Sequence, residues 1–300
     1  MTPNYSIIIP HKNIPDLLQR CLDSIPKRDD IQVIIVDDAS EQTIVDFEHF
    51  PGLDRNDTEV YFTKEGRGAG FARNVGLEHA KGKWLLFLDA DDFLSEESDS
   101  ILKEYIDAEE DLILFKHRSV LSEDISIPVL RSEYLNVLVD DFLGRRIDEN
   151  TIRCSFIVVS NKLIRKELLA IHDIHFNETR WSNDNYFSAQ VACHARKMIA
   201  SDKVLFVMTQ REGSLTSDFC GTMKEAEVRL QEAIKSEHLF FEYGMIGSKN
   251  GLSSYLIKNI CDKHGFLWCL LSCFTFVFNR PVFRAMARFL YRKTIYHFSK

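Results

Sequence analysis

The seven cysteines contain no CxxC pair, are odd in number and lie scattered along the chain. That argues against a disulfide framework and fits buried thiols in a reducing compartment. No apolar stretch approaches the roughly 20 residues that a membrane-spanning helix needs. The longest nearly unbroken one, residues 266–278, has thirteen. Met1 to Asn4 leads straight into a strand-like run, so no signal peptide is expected. The glycine cluster Gly66-Arg67-Gly68-Ala69-Gly70 lacks the GxGxxG spacing of a dinucleotide fingerprint. Ser40 and Ser214 have no histidine in a triad-like arrangement, which removes the basis for serine hydrolysis. His172 and His175 have no third or fourth ligand at a zinc spacing and read as a surface turn. Neither an internal repeat nor a low-complexity linker is present.

Positive charge is scarce until the end of the chain. Residues 1–262 carry all 45 acidic residues and 30 of the 37 basic ones. An acidic body offers no basic groove for releasing the counterions of a polynucleotide, so nucleic acid is not expected as a partner. After Asp262 the balance reverses, with Lys263, Arg280, Arg284, Arg288, Arg292, Lys293 and Lys300 and no acid. Arginines at every fourth position, with Val282, Phe283, Met286, Phe289 and Leu290 on other faces, read as a basic amphipathic helix. Such a tail predicts attachment to anionic lipid at the inner face of a membrane; the alternative is a helical pair packed on the body or on a second subunit. Oligomeric state is left open.

At 300 residues, 45% hydrophobic and 27% charged, the chain has ample material for a large core. The first 120 residues alternate strands and helices. Strands are expected at 5–10, 31–37, 59–63, 83–88 and 111–116. Helices are expected from Pro15, over 41–50 and 69–80, and from a Ser95 cap to Tyr105. Such alternation implies right-handed βαβ units and a mostly parallel sheet, hence an α/β fold. Regularity then weakens. A strand is expected at 152–160, helices at 162–170 and 185–194, a strand at 203–208, and helix from Met223 onward.

The most informative feature is where the acids stand. Ile34-Ile35-Val36 runs into Asp37-Asp38, and Trp84-Leu85-Leu86-Phe87-Leu88 runs into Asp89-Ala90-Asp91-Asp92. Continuous apolar strands are buried on both faces of a parallel sheet. Carboxylates at their ends fall in the crevice where open α/β sheets bind ligands. So many acids together call for a cation, and the natural one is a hard divalent ion on a diphosphate.

Several stretches, in order and at their spacings, resemble the inverting glycosyltransferases of family two, which have the GT-A fold. They are Ser6-Ile7-Ile8-Ile9-Pro10-His11-Lys12-Asn13, Ile35-Val36-Asp37-Asp38-Ala39-Ser40, Ala72-Arg73-Asn74-Val75-Gly76-Leu77, Ala80-Lys81-Gly82-Lys83-Trp84 and Phe87-Leu88-Asp89-Ala90-Asp91-Asp92. The resemblance is tight over 5–120 and looser to about 220. There Asn183-Asp184 and Arg211-Glu212-Gly213-Ser214-Leu215-Thr216 look like segments of capsule and surface-polysaccharide transferases.

The resemblance implies a GT-A domain over 1–220, with a nucleotide-sugar half (1–118) and an acceptor half (119–220), followed by a helical region over 221–300. It implies Asp91 as direct ligand of Mg²⁺ or Mn²⁺, and Asp89 on the ribose or a metal-bound water. Asp38 would accept a hydrogen bond from the base, with Pro10 beside the base pocket. Where the family often has an aromatic, this chain has Lys12. Arg67 or Arg73 would lie near the nucleotide, the plainer reading of Arg73-Asn74 being a helix-surface ion pair, and Arg211 and Ser214 would lie near the diphosphate. Asp184 would be the general base, kept ionised by a helix N-terminus; its plainer reading is a helix cap.

The activity so implied is transfer of a sugar, with inversion, from a nucleotide-activated and UDP-linked donor to a glycan. The basic tail alone adds the expectation that the acceptor is lipid-linked and met on the cytoplasmic side of a bacterial membrane. Two rivals are a non-catalytic subunit of the same fold and a sugar-nucleotide-forming nucleotidyltransferase. The second should carry a Gly-rich, lysine-bearing loop after the first strand, where this chain has Pro10-His11-Lys12-Asn13.

Overall fold

A computed structural model describes residues 2–211, 221–245 and 252–264. In chain order the elements begin β1 (Tyr5–His11), α1 (Pro15–Asp23), β2 (Ile31–Asp37), β3 (Thr58–Phe62), α2 (Ala69–His79), β4 (Trp84–Phe87), β5 (Phe93–Leu94) and α3 (Ser98–Glu104). They continue β6 (Leu112–Leu121), α4 (Glu133–Leu143), α5 (Glu149–Ser155), β7 (Lys162–Arg165), α6 (Lys166–His172), α7 (Asn183–His194), β8 (Met198–Gln210), α8 (Met223–Glu242) and α9 (Leu252–His264). The strands form one sheet in the order β3-β2-β1-β4-β7-β6-β8-β5. β1 to β4 are mutually parallel, and β6 runs parallel to β8. β7 is reversed between β4 and β6, and β5 is reversed against β8.

The unbroken apolar strands are explained by cover on both faces. Ile7, Ile9, Val33 and Ile35 belong to one core cluster, and the intervening Ile8, Ile34 and Val36 to the other. Each fully buried side chain of this size stabilises by about 1.5–3 kcal/mol relative to exposure, before entropy is subtracted. α1 covers the first face with Leu18, Cys21 and Leu22. α2 covers the second, and it lies close because a Cβ on Gly76 would stand 2.4 Å from Ile8 Cγ2.

Four local expectations are corrected. Residues 41–50 form turns instead of a helix. Asp46 caps the backbone N–H groups of Glu48 and His49, and Phe50 is pinned in the core. Residues 152–160 are the end of α5 and a loop, not a strand; Asp148 caps that helix through the N–H of Thr151. Residues 162–170 divide into β7 and α6, because Leu163 and Ile164 are held in the sheet between two neighbours. Ser95 caps no helix: its hydroxyl donates to the Val204 carbonyl, tying the segment to β8. No helix among the described residues is long and apolar enough to cross a membrane. The basic amphipathic helix, Cys269, Cys273 and Ser214 lie outside the described residues.

Candidate active site

The carboxyl ends of the parallel strands collect the predicted acids. Beyond β2, Asp37 and Asp38 have different duties. Asp37 is buried against His11 Nδ1 at 2.7 Å and accepts from the backbone N–H and hydroxyl of Ser40. Burial opposes its charge, but those bonds prevail and hold its carboxyl below the usual range. Asp37 therefore fastens the strand ends together.

Asp38 turns the other way. Its Oδ2 accepts from the Gly68 N–H at 2.8 Å, while its Oδ1 is buried without a partner. Lys12 Nζ donates to the Asp38 carbonyl at 2.9 Å and stands 3.7 Å from Oδ2. Pro10 lies half-buried at the end of β1. A buried acceptor with a free lone pair is costly unless a ligand supplies a donor. Gly68 takes φ +95°, where a side chain would be strained, and this lets the glycine loop fold over Asp38 into α2. Arg67 stands on that loop over the Phe71 ring at 4.3 Å and ion-pairs with Glu178, in the segment before α7.

Beyond β4 the chain makes a tight acidic turn, clamped by Thr209 of β8 and Arg20 of α1. The Thr209 backbone N–H donates to Asp92 Oδ1 at 2.7 Å, and its hydroxyl donates to the Asp91 carbonyl. Arg20 of α1 reaches the same carbonyl and that of Ser122. Within this frame Asp89, Asp91 and Asp92 each bring an oxygen within 4.8 Å of the others. Burial pushes the Asp92 carboxyl well upward, and the charges of Asp91 and Asp89 push it further. Arg73 pairs with Asp89 at 2.6 Å and Arg211 with Asp91 at 2.9 Å. Three hard oxygen donors held this close fit a divalent cation of the Mg²⁺ or Mn²⁺ kind.

Arg73 also joins the two halves of the site. It is buried, and its second guanidinium nitrogen donates to Asn183 Oδ1 at 2.7 Å. It is thus no surface ion pair. Asn183 opens α7, and the next residue is Asp184. The seam between α2 and α7 is close: a Cβ on Gly70 would stand 2.3 Å from the Asn177 carbonyl oxygen. Asn74 binds both backbone groups of Phe176, and Glu232 of α8 takes the Asn177 side-chain amide.

Asp184 does not cap α7, whose N-cap position is Ser182. The expectation that the helix N-terminus keeps this carboxyl low is also corrected. Burial dominates and raises its pKa, while Arg73 and Lys162 pull it down and Asp89 adds repulsion. A carboxyl with elevated affinity for a proton is a stronger base, which suits proton abstraction.

Thr209, Arg20, Asn177 and Glu232 were not anticipated. Their partners lie 55 to 118 residues away, and no local spacing announces them. A separate cavity of about 610 Å³ lies at the amino ends of β1 to β3, lined by Arg28, Arg55, Asp57, Glu59 and Lys81. It sits at the opposite end of the sheet from Asp38 and Asp89.

Comparison with known proteins agrees with this geometry. The family model described as "Glycosyl transferase family 2" matches residues 6–171. The chain is 28% identical over 217 residues to the poly(ribitol-phosphate) beta-N-acetylglucosaminyltransferase TarS of Staphylococcus aureus strain Mu50, covering 70% of this chain and 36% of that protein. It is 26% identical over 252 residues to the poly(ribitol-phosphate) beta-glucosyltransferase of Bacillus spizizenii, covering 78% and 37%. The chain thus spans about a third of the length of these curated relatives.

The crystal structure of S. aureus TarS 1–349 in complex with UDP-GlcNAc superposes with a TM-score of 0.68 at 22% identity, covering 95% of this chain and 88% of that one. The mannosyltransferase PcManGT of Pyrobaculum calidifontis, in complex with GDP-Man and Mn²⁺, gives 0.57 at 17% identity, covering 98% and 88%. These likenesses establish the GT-A fold. With its model matched over more than half its length, the chain belongs to glycosyl transferase family 2.

Proposed function

We propose that this chain transfers a glycosyl group, with inversion, from a UDP-linked sugar to a glycan hydroxyl in the assembly of a bacterial surface polymer. The single observation that carries the reading is the Arg73 guanidinium, bonded to Asp89 on one side and to Asn183, neighbour of Asp184, on the other. One guanidinium thereby joins the proposed leaving-group site to the segment that carries the proposed base. The names of the curated relatives, which act on ribitol-phosphate polymers, support a surface-polymer acceptor.

In this reading the free Oδ1 of Asp38 accepts the imide N–H of the base, while Lys12 braces Asp38 from behind. Asp91 would hold Mg²⁺ or Mn²⁺, with Asp89 on the ribose or a metal-bound water. When bound, the cation supplies Lewis-acid stabilisation of the departing diphosphate. Arg211, beside Asp91, adds positive charge at the same place, with Ser214 assigned there by sequence alone. Asp184 takes the acceptor proton as the hydroxyl oxygen attacks the anomeric carbon. The new C–O bond forms on the face opposite the breaking bond to diphosphate, so the configuration inverts.

The test is a panel of nucleotide sugars read by thermal stabilisation and by turnover. A UDP-sugar should stabilise the protein only with Mg²⁺ or Mn²⁺ present. Asp184→Asn should retain that binding and lose transfer by about 10²–10⁴-fold. Stabilisation by no nucleotide sugar, or full turnover in Asp184→Asn, would overturn the reading.

The same reading places the chain on the cytoplasmic face of the membrane, where its basic C-terminal residues would meet anionic lipid and a lipid-linked acceptor. Charge reversal at Arg284 and Arg288 should release the protein from phosphatidylglycerol vesicles. Undiminished binding would refute it.

A further inference from the structure

Lys162 is buried in the middle of the sheet, at 1% exposure. Its Nζ donates to the carbonyl of Phe156, at the end of α5, at 2.8 Å. No carboxylate stands within ion-pair distance of it among the described residues. A lone ammonium in such a place is expensive to keep, and nothing derived so far uses it.

Its position follows from the one reversed strand beside the site. β7 pairs antiparallel with β4, Arg165 opposite Trp84 and Ile164 opposite Leu85. Extending that register sets Lys162 level with Phe87, two residues before Asp89. The first residue of the reversed strand thus lies at the carboxyl end of its parallel neighbour, the end that carries the acids. The hydroxyl of Ser188, one helical turn along α7 from Asp184, is buried there without a partner. Polar groups therefore continue inward from the base.

We propose that Lys162 is a positioning residue for the base: its buried ammonium, set by the reversed strand at the acidic end of the sheet, holds the Asp184 side chain as a carboxylate. The inference rests on the reading of Asp184 as the general base. Among the described residues, three charged groups act on Asp184, each from a different element. Arg73 on α2 attracts, Asp89 beyond β4 repels, and Lys162 on β7 attracts. Arg73 shares its charge with Asp89 at 2.6 Å. Among the described residues, Asp184 is the acid whose charge acts on Lys162. Burial brings the lysine down to about 7, and the carboxylate opposes that fall. The two charges support each other in a place where either alone would tend to neutralise.

A structural alternative is that Lys162 serves only to tie the Phe156 carbonyl to β7. Arg153 shows what such a tie looks like: it binds the carbonyls of Ala192 and Ala195 and pairs with Glu149. For Lys162, a neutral donor would do that work as well.

The test uses the full chain with ¹³C-labelled aspartate, the Asp184 signal being assigned by its loss in Asp184→Asn. Lys162→Gln keeps a hydrogen-bond donor and removes the charge; Lys162→Met removes both. The Asp184 midpoint should move upward in both variants, and the acid limb of the kcat/KM profile should move upward with it. An unmoved midpoint in Lys162→Gln would overturn the proposal. If neither lysine variant folds, the reciprocal measurement decides. In Asp184→Asn the ¹³Cε signal of Lys162 should titrate at lower pH than in the wild type, and an unchanged midpoint overturns the idea. Loss of turnover in Asp184→Asn with no coupling would sink this inference and leave the base assignment standing. Full turnover in Asp184→Asn would remove both.

Discussion

A methyl group at Gly70 tests whether the contact between α2 and the segment before α7 sets the geometry of transfer. The added Cβ would stand 2.3 Å from the Asn177 carbonyl oxygen and 3.0 Å from Asn183 Cβ. The first contact is with backbone, and Asn177 is itself held by Glu232, so no flexible side chain can swing aside. Relief requires the two segments to part by about 1 Å, since unstrained carbon contacts begin well above 3 Å. Overpacking of this kind costs about 1–3 kcal/mol. The better helix propensity of alanine returns up to about 1 kcal/mol of that. A net loss of about 1–2 kcal/mol in urea unfolding follows for Gly70→Ala.

The larger effect should be on turnover. Parting the seam draws Asn183, and with it Asp184, away from Arg73. A misplacement of about 1 Å can lower kcat by about 10²-fold. Nucleotide affinity, which the proposed function assigns to Asp38 beyond β2, should change little. Gly244→Ala is the matched control. It has φ +68° and nothing within 4 Å of its missing Cβ, so it should cost about 1 kcal/mol without altering kcat. If Gly70→Ala turns over within twofold of the wild type, the seam does not position the base.

Three further outcomes are expected. Asp91→Asn should lose the thermal shift given by Mn²⁺ alone and lower turnover at least about tenfold, since one hard donor is gone and Arg211 loses its partner; an unchanged Mn²⁺ response would move the metal elsewhere. Asp38→Ala should weaken UDP binding by about tenfold, because the Gly68 N–H loses its acceptor and the free Oδ1 is removed; equal UDP affinity would exclude Asp38 from the nucleotide site. Lys162→Met should be more stable than the wild type at pH 6, with the gap closing towards pH 10. The lysine titrates near 7 in the folded chain against about 10.5 unfolded. Between those values the unfolded state binds more protons, so wild-type stability rises with pH. The full span is worth up to about 5 kcal/mol, less the lost bond to Phe156. Urea melts at pH 6, 8 and 10 check it, and a gap independent of pH refutes it.

What could be read from the sequence was what is written locally. Runs such as Ile34-Ile35-Val36 and Leu85-Leu86-Phe87 are buried on both faces, and their composition shows it directly. An acid following such a run must emerge at the sheet's end, so Asp38, Asp89 and Asp91 could be placed at one end of the sheet before any coordinates. Burial was not legible in the same way. Asp184 stands in the first turn of α7, which by itself lowers a carboxyl, and only the packed structure shows desolvation overcoming that effect. Arg73 could be read as a helix-surface ion pair as readily as a group near the nucleotide. Its partners Asp89 and Asn183 stand 16 and 110 residues away.

The reversed strand shows most clearly why local reading stops where it does. Lys162-Leu163-Ile164-Arg165 has helix-compatible composition and runs directly into α6, so continuity favoured a single helix. What makes it a strand is non-local: Ile164 pairs with Leu85 on one side and Leu112 on the other. As the first turn of a helix, Lys162 would have been free to reach solvent. As the first residue of a strand laid backwards between parallel neighbours, it must enter the interior at the acidic end of the sheet. Topology, more than residue type, makes it a charge that Asp184 can feel. A parallel strand in that place would have set its first residue at the far end, with Arg28 and Glu59.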